Sequence, residues 1–134
     1  LELTESALID NSHGVRAFLT EARSLGCQVA LDDFGTGFSS LSYLRDYEFD
    51  TLKIDKSFID ELANPPDYGL VASIISMGRI LGMRVVAEGV ETADQVDQLK
   101  QIGCDFIQGF HFTKPLPADE FYRYVSQSEF RDVG

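Results

Sequence analysis

Histidine, cysteine and long apolar runs are all scarce in this chain, and each scarcity removes a class of function. The only two histidines, His13 and His111, have no partner at metal-ligand spacing, so both read as surface residues rather than as a histidine metal centre. The only two cysteines, Cys27 and Cys104, each follow a glycine and precede an apolar strand. Neither a disulfide nor a metal pair fits that spacing, and both are expected to be reduced, half-buried packing residues. No apolar stretch approaches the roughly 20 residues of a membrane span, and no leader-like segment stands before the first strand. A cytoplasmic setting without membrane contact is therefore expected. Basic residues number 11 against 22 acidic ones, a formal charge of −11. That balance argues against a nucleic-acid polymer gripped along a basic groove. A small phosphorylated ligand remains compatible with it, because bound divalent cations would reverse the local sign.

What the chain does have is a repeated pattern. Five short apolar runs each end in a charged or amide residue: Leu1–Glu5, Val29–Asp33, Leu52–Asp55, Val85–Glu88 and Phe106–Gln108. Helical stripes lie between them, over Val15–Leu25 and Leu70–Leu81 and from the capping-box sequence Thr92–Gln95 through Ile102. A last helix is expected after Pro117, burying Phe121, Tyr122 and Val125. Three helices stop at a glycine, in Leu25-Gly26-Cys27, Leu81-Gly82-Met83 and Ile102-Gly103-Cys104. The Asn64–Asp67 stretch reads as a surface loop. Runs such as Val85-Val86-Ala87 suit strands buried on both faces, hence a parallel sheet in an α/β fold.

Polar groups gathered at the carboxyl ends of successive parallel strands mark the active face of a β/α barrel. A closed barrel of that type needs ~250 residues, and Leu1 opens inside a strand. The expectation is the carboxyl-terminal five βα units of a TIM-type barrel, residues 1–134 forming one portion of a single domain. An open arc of five strands leaves two unpaired edges, so dimerisation or association with the missing part of the barrel is expected.

The chemistry-bearing residues follow from those strand ends. Adjacent Asp32 and Asp33 repel one another unless a cation lies beside them; the competing reading is an N-cap pair before a helix at Ser39-Ser40-Leu41. Two hard cations clamped by shared carboxylates can activate water and hold a phosphate ester. Lys53, between Leu52 and Ile54, faces the opposite side from both and the same side as Asp55. It either sits at a metal site, acting on the attacking water and on phosphate charge, or forms a structural ion pair with Asp55 or Asp32. Glu88 ends its strand as a functional carboxylate, while Glu91 divides between helix capping and support of the site. Glu2 should face the barrel, and Glu5 should organise the loop beyond it. Gln108 offers a neutral amide to a ligand or water. Phe34, Phe38, Tyr43, Phe110 and Phe112 are candidates for stacking on a base, with core packing the more ordinary use.

In order and spacing, Glu2-Leu3-Thr4-Glu5-Ser6, Asp32 to Leu41, Leu52-Lys53-Ile54-Asp55, Ala87-Glu88-Gly89-Val90-Glu91, Gln108-Gly109-Phe110 and Lys114-Pro115-Leu116-Pro117 resemble the EAL-domain family of cyclic di-GMP phosphodiesterases. The resemblance covers essentially the whole chain. It implies a bacterial signalling hydrolase that uses Mg²⁺ or Mn²⁺, two ions in a complete domain, to open cyclic di-GMP to the linear 5′-phosphorylated dinucleotide. Such domains are often joined to sensor and GGDEF modules. By position, Glu2, Asp32 and Asp33 resemble metal ligands. Lys53 and Glu88 resemble the pair that positions and deprotonates water, and Glu5 the glutamate holding the Asp33–Ser40 loop. Glu91 and Gln108 resemble supporting members. The Glu-Ala-Leu motif itself is absent, so the isolated chain is expected to be inactive. Two other classes compete: a non-catalytic cyclic di-GMP-binding receptor module, and a Schiff-base barrel enzyme built on Lys53.

Overall fold

The alternation of apolar runs with helical stripes resolves, in a computed structural model, into a five-stranded parallel sheet with helices packed on one side. The structure describes residues 1–10, 12–35, 41–62 and 68–127. In chain order the elements are β1 (Glu2–Thr4), α1 (Glu5–Asp10), α2 (Ser12–Ser24), β2 (Ala30–Phe34), α3 (Leu41–Asp46) and β3 (Thr51–Ile54). They continue with α4 (Lys56–Glu61), α5 (Tyr68–Ile80), β4 (Arg84–Ala87), α6 (Ala93–Gln101), β5 (Phe106–Ile107) and α7 (Ala118–Gln127). The strands lie in sequence order, β1-β2-β3-β4-β5, each parallel to the next. This is the arrangement that successive right-handed βα crossovers generate.

Strand alternation sorts the side chains into two rows. Leu31, Leu52, Ile54, Val85 and Ala87 point under the helices and are buried with Val71, Ile74, Ile75, Val96 and Leu99 in one apolar core. Glu2, Asp32, Lys53, Val86 and Phe106 occupy the other row, on the opposite face of the sheet. The expected helix stops are present. Gly26, Gly82 and Gly103 all have left-handed φ, and the cysteine or methionine after each donates its amide back into the helix it leaves. Only glycine takes that conformation without cost, so these stops set where β2, β4 and β5 begin. Thr92 caps α6 with the reciprocal Gln95 bonds expected of a capping box.

Several expectations need correction. α7 exists, but Phe121 is 52% exposed and Tyr122 72%. Val125 is half-buried, and Phe121 lines a cavity of about 600 Å³ with Phe106, Phe110 and Phe112 instead of entering the core. Cys27 is exposed rather than half-buried, since it stands in the helix-ending turn; Cys104 is half-buried, and both are free thiols. α1 and α4 were not anticipated; each is a single short helix at the exit of a strand. The Asn64–Asp67 loop, the segment Thr36–Ser40 and the side chains of His13 and Tyr43 lie outside the described residues.

Candidate active site

Lys53 rises from the central strand into three carboxylates. Its Nζ lies 2.8 Å from Glu2 Oε1, 2.9 Å from Asp32 Oδ1 and 2.8 Å from Glu88 Oε1. The lysine is only 8% exposed. Burial alone would lower its pKa; the hydrogen bonds to Glu2, Glu88 and Asp32 outweigh that and hold it well above the ordinary 10.5. With these three carboxylates alone around it, Lys53 is held as the ammonium. Alternation correctly predicts the face it occupies. Asp55 is not its partner: it caps α4, accepting from the Ser57 amide and hydroxyl, and those bonds lower its pKa.

The adjacent aspartates reach one site through an irregularity that alternation does not predict. On β2 the register passes from Leu31 opposite Leu52 to Phe34 opposite Ile54, so Asp32 and Asp33 together oppose Lys53 alone. This is a β-bulge, which re-aims a side chain by inserting one extra residue. Asp33 absorbs it at φ 55°, the left-handed region, where aspartate is better tolerated than most residues. In a regular strand Asp33 would turn away from Asp32. Here carboxylate oxygens of Asp32, Asp33 and Glu88 lie within 4.8 Å of one another, a group able to hold a metal ion. Glu2 is not part of that group and instead engages Lys53. Glu88, read from sequence as the residue acting on water, is part of it.

The remaining candidates surround this cluster. Glu5, 3% exposed at the start of α1, accepts the Gly35 amide through Oε2 at 3.0 Å, which ties down the exit of the aspartate strand. Its other oxygen has no hydrogen-bond partner among the described residues. Glu91 does not join the Lys53 cluster; it pairs with Lys56 at 3.2 Å, and Lys56 also holds Asp60. Glu91 and Gln108 line a cavity of about 300 Å³ with Asp55, Lys56, Glu88 and Phe110, so this space adjoins the cluster through Glu88. Val90 donates to the Gln108 carbonyl and His111 to the Val90 carbonyl, which locks the turns after β4 and β5 together. Phe34 is buried in the core, whereas Phe110 and Phe112 are exposed beside these turns. Sequence reading missed Lys56, whose role depends on α4 being a helix.

These features have close counterparts. The EAL domain family model matches residues 1–115. The cyclic di-GMP phosphodiesterase NbdA of Pseudomonas aeruginosa is 44% identical over 127 residues, covering 92% of this chain and 16% of NbdA. Among solved structures, the MucR phosphodiesterase in complex with c-di-GMP superposes with a TM-score of 0.84 at 41% identity, over 90% of this chain and 49% of that one. A manganese/cy-diGMP complex of Klebsiella pneumoniae BlrP1 gives 0.78 at 35% identity, over 85% and 29%. The chain thus spans a minor part of the curated relatives and about half of the MucR structure. Its sheet, its strand-end carboxylates and the family match agree: the chain belongs to the EAL domain family.

Proposed function

We propose that the protein carrying this chain is a divalent-cation-dependent phosphodiesterase that hydrolyses cyclic di-GMP to the linear 5′-phosphorylated dinucleotide in bacterial second-messenger signalling. The observation that carries this reading is the convergence of Glu2, Asp32 and Glu88 on Lys53, with Asp33 turned into the same group by the bulge. The named activities of NbdA and MucR support the substrate.

The donor set suits Mg²⁺ or Mn²⁺: it is all oxygen, anionic and hard, with no histidine or thiolate. Four carboxylates against one ammonium leave a surplus of negative charge that divalent cations would neutralise. Asp32, Asp33 and Glu88 would hold such ions, with Glu2 within reach of the same lysine. Bound there, the cation supplies a more acidic water and offsets charge on the phosphate. Lys53, fixed as an ammonium, orients the water and faces the phosphate oxygens. Glu88 is the group placed to take the water proton. As water oxygen bonds to phosphorus, the P–O3′ bond breaks, the departing 3′ oxygen takes a proton from solvent and Glu88 returns its proton to solvent, leaving a 5′-phosphate. Glu5 keeps the Asp33 turn in place, Glu91 anchors Lys56, and Gln108 presents its amide to the adjoining cavity.

Outside its larger protein the 134-residue chain is proposed to be inactive, because the row carrying Lys53 leaves Glu2 and Phe106 exposed. Full-length protein incubated with cyclic di-GMP and Mn²⁺ should give the linear dinucleotide, and EDTA should stop it. Tight binding without cleavage would instead establish a receptor module.

A further inference from the structure

We infer that Phe58 is a positioning residue for the Asp32–Asp33 pair, acting through Gly35. The inference rests on the metal-site reading above and extends it to a residue outside the carboxylate cluster. Gly35, two residues beyond Asp33, is held from two sides. Its amide is bonded to the buried Glu5 carboxylate, and its Cα lies against the ring of Phe58, where any added methyl would overlap Cε2 and Cζ. Gly35 also has φ 97°, a conformation that side-chain-bearing residues rarely adopt. The bulge at Asp33 therefore ends in a residue whose position is set by a hydrogen bond on one flank and a ring on the other.

The ring is not an independent support. Phe58 follows Lys53 on the same β3–α4 segment, and Asp55 caps α4 between them, with its φ and ψ fixed at −60° and 148° by the Ser57 bonds. One stiff segment thus touches the aspartate strand twice: Lys53 at the Asp32 carboxylate and Phe58 at Gly35. Asp33, in the left-handed region, lies between these contacts. Without the ring, Gly35 keeps, among the described residues, the Glu5 bond, and Asp33 is drawn toward ordinary strand geometry, which turns its carboxylate away from Asp32. Phe58 makes this contact with carbon alone, so its effect on the pair is purely one of placement.

The test measures Mn²⁺ binding by the full-length protein directly, from the electron paramagnetic resonance signal of free Mn²⁺, alongside thermal unfolding. Phe58→Ala should weaken Mn²⁺ binding by ~10-fold or more, the scale at which residues orienting metal ligands act. Phe58→Leu, which keeps apolar volume, should fall between it and wild type, and it carries the test if the alanine variant does not fold. Turnover of both should recover as Mn²⁺ is raised to saturation. Phe49→Ala serves as the control, since Phe49 is also a phenylalanine, is more deeply buried than the half-buried Phe58, and lies before β3, at the far end from Lys53. It should lower the unfolding temperature and leave Mn²⁺ affinity unchanged. Wild-type affinity in both Phe58 variants, or equal weakening by Phe49→Ala, would overturn the positioning role alone. A wild-type protein that binds no Mn²⁺ would overturn the metal-site reading and this inference with it.

Discussion

Replacing Lys53 with methionine should destabilise the protein in the absence of divalent cation and make it more responsive to that cation. The substitution keeps most of the stem but removes the charge that Glu2, Asp32 and Glu88 share. Breaking a buried ion pair by deleting one partner costs about 3–5 kcal/mol. The side chains of Asp32 and Glu88 are each 19% exposed, but that of Glu2 is 60% exposed and regains hydration readily. The lower end, about 3 kcal/mol, is therefore expected. For a domain of ~150–250 residues this corresponds to a fall of ~6–12 °C in Tm. Lys53 titrates above its ordinary 10.5, so its contribution is complete below that pH and disappears only as pH rises through the raised value. The gap between wild type and variant should accordingly stay flat from about pH 6 to 9. Mg²⁺ should narrow it, because a cation no longer competes with the ammonium for Asp32 and Glu88 oxygens. The assay is thermal unfolding of the full-length protein in EDTA and in excess Mg²⁺. An unchanged Tm in EDTA, or a gap that widens with Mg²⁺, would refute the reasoning.

Glu88→Gln should lower kcat by ~10²-fold or more, as loss of a general base does, while binding of cyclic di-GMP measured calorimetrically in Ca²⁺ persists. Gly109→Ala should cost ~1–3 kcal/mol in chemical denaturation, because the added methyl meets the Val90 backbone and would force apart the turns after β4 and β5. The isolated 134-residue chain should self-associate at low micromolar concentration, since among the described residues the outer edges of β1 and β5 are unpaired and Phe106, Phe110 and Phe112 are exposed. Light scattering reporting a stable, cooperatively unfolding monomer would contradict that.

Most of the sheet was legible because each strand ends in a polar residue, and β2, β4 and β5 are announced a second time by the glycine-stopped helix before them. The Leu52-Lys53-Ile54 alternation likewise sufficed to aim Lys53. The bulge was not legible. Alternation within β2 predicts that Asp32 and Asp33 diverge, and only the register against β3 places both opposite Lys53. The Glu91–Lys56 pair was hidden for a similar reason, since it joins the turn after β4 to a six-residue helix with no apolar periodicity long enough to read. Phe121 and Tyr122 were assigned to the core from their helical spacing. Spacing gives a face but not what covers it.

The central claim is that the carboxylates around Lys53 hold the cation that hydrolysis requires. Turnover of cyclic di-GMP by full-length Asp32→Asn protein in saturating Mn²⁺ tests it most directly. Asparagine preserves shape while removing the charge at 2.9 Å from Lys53 Nζ. The expected result is loss of hydrolysis with an unaltered circular dichroism spectrum. Wild-type turnover in that variant would contradict the account.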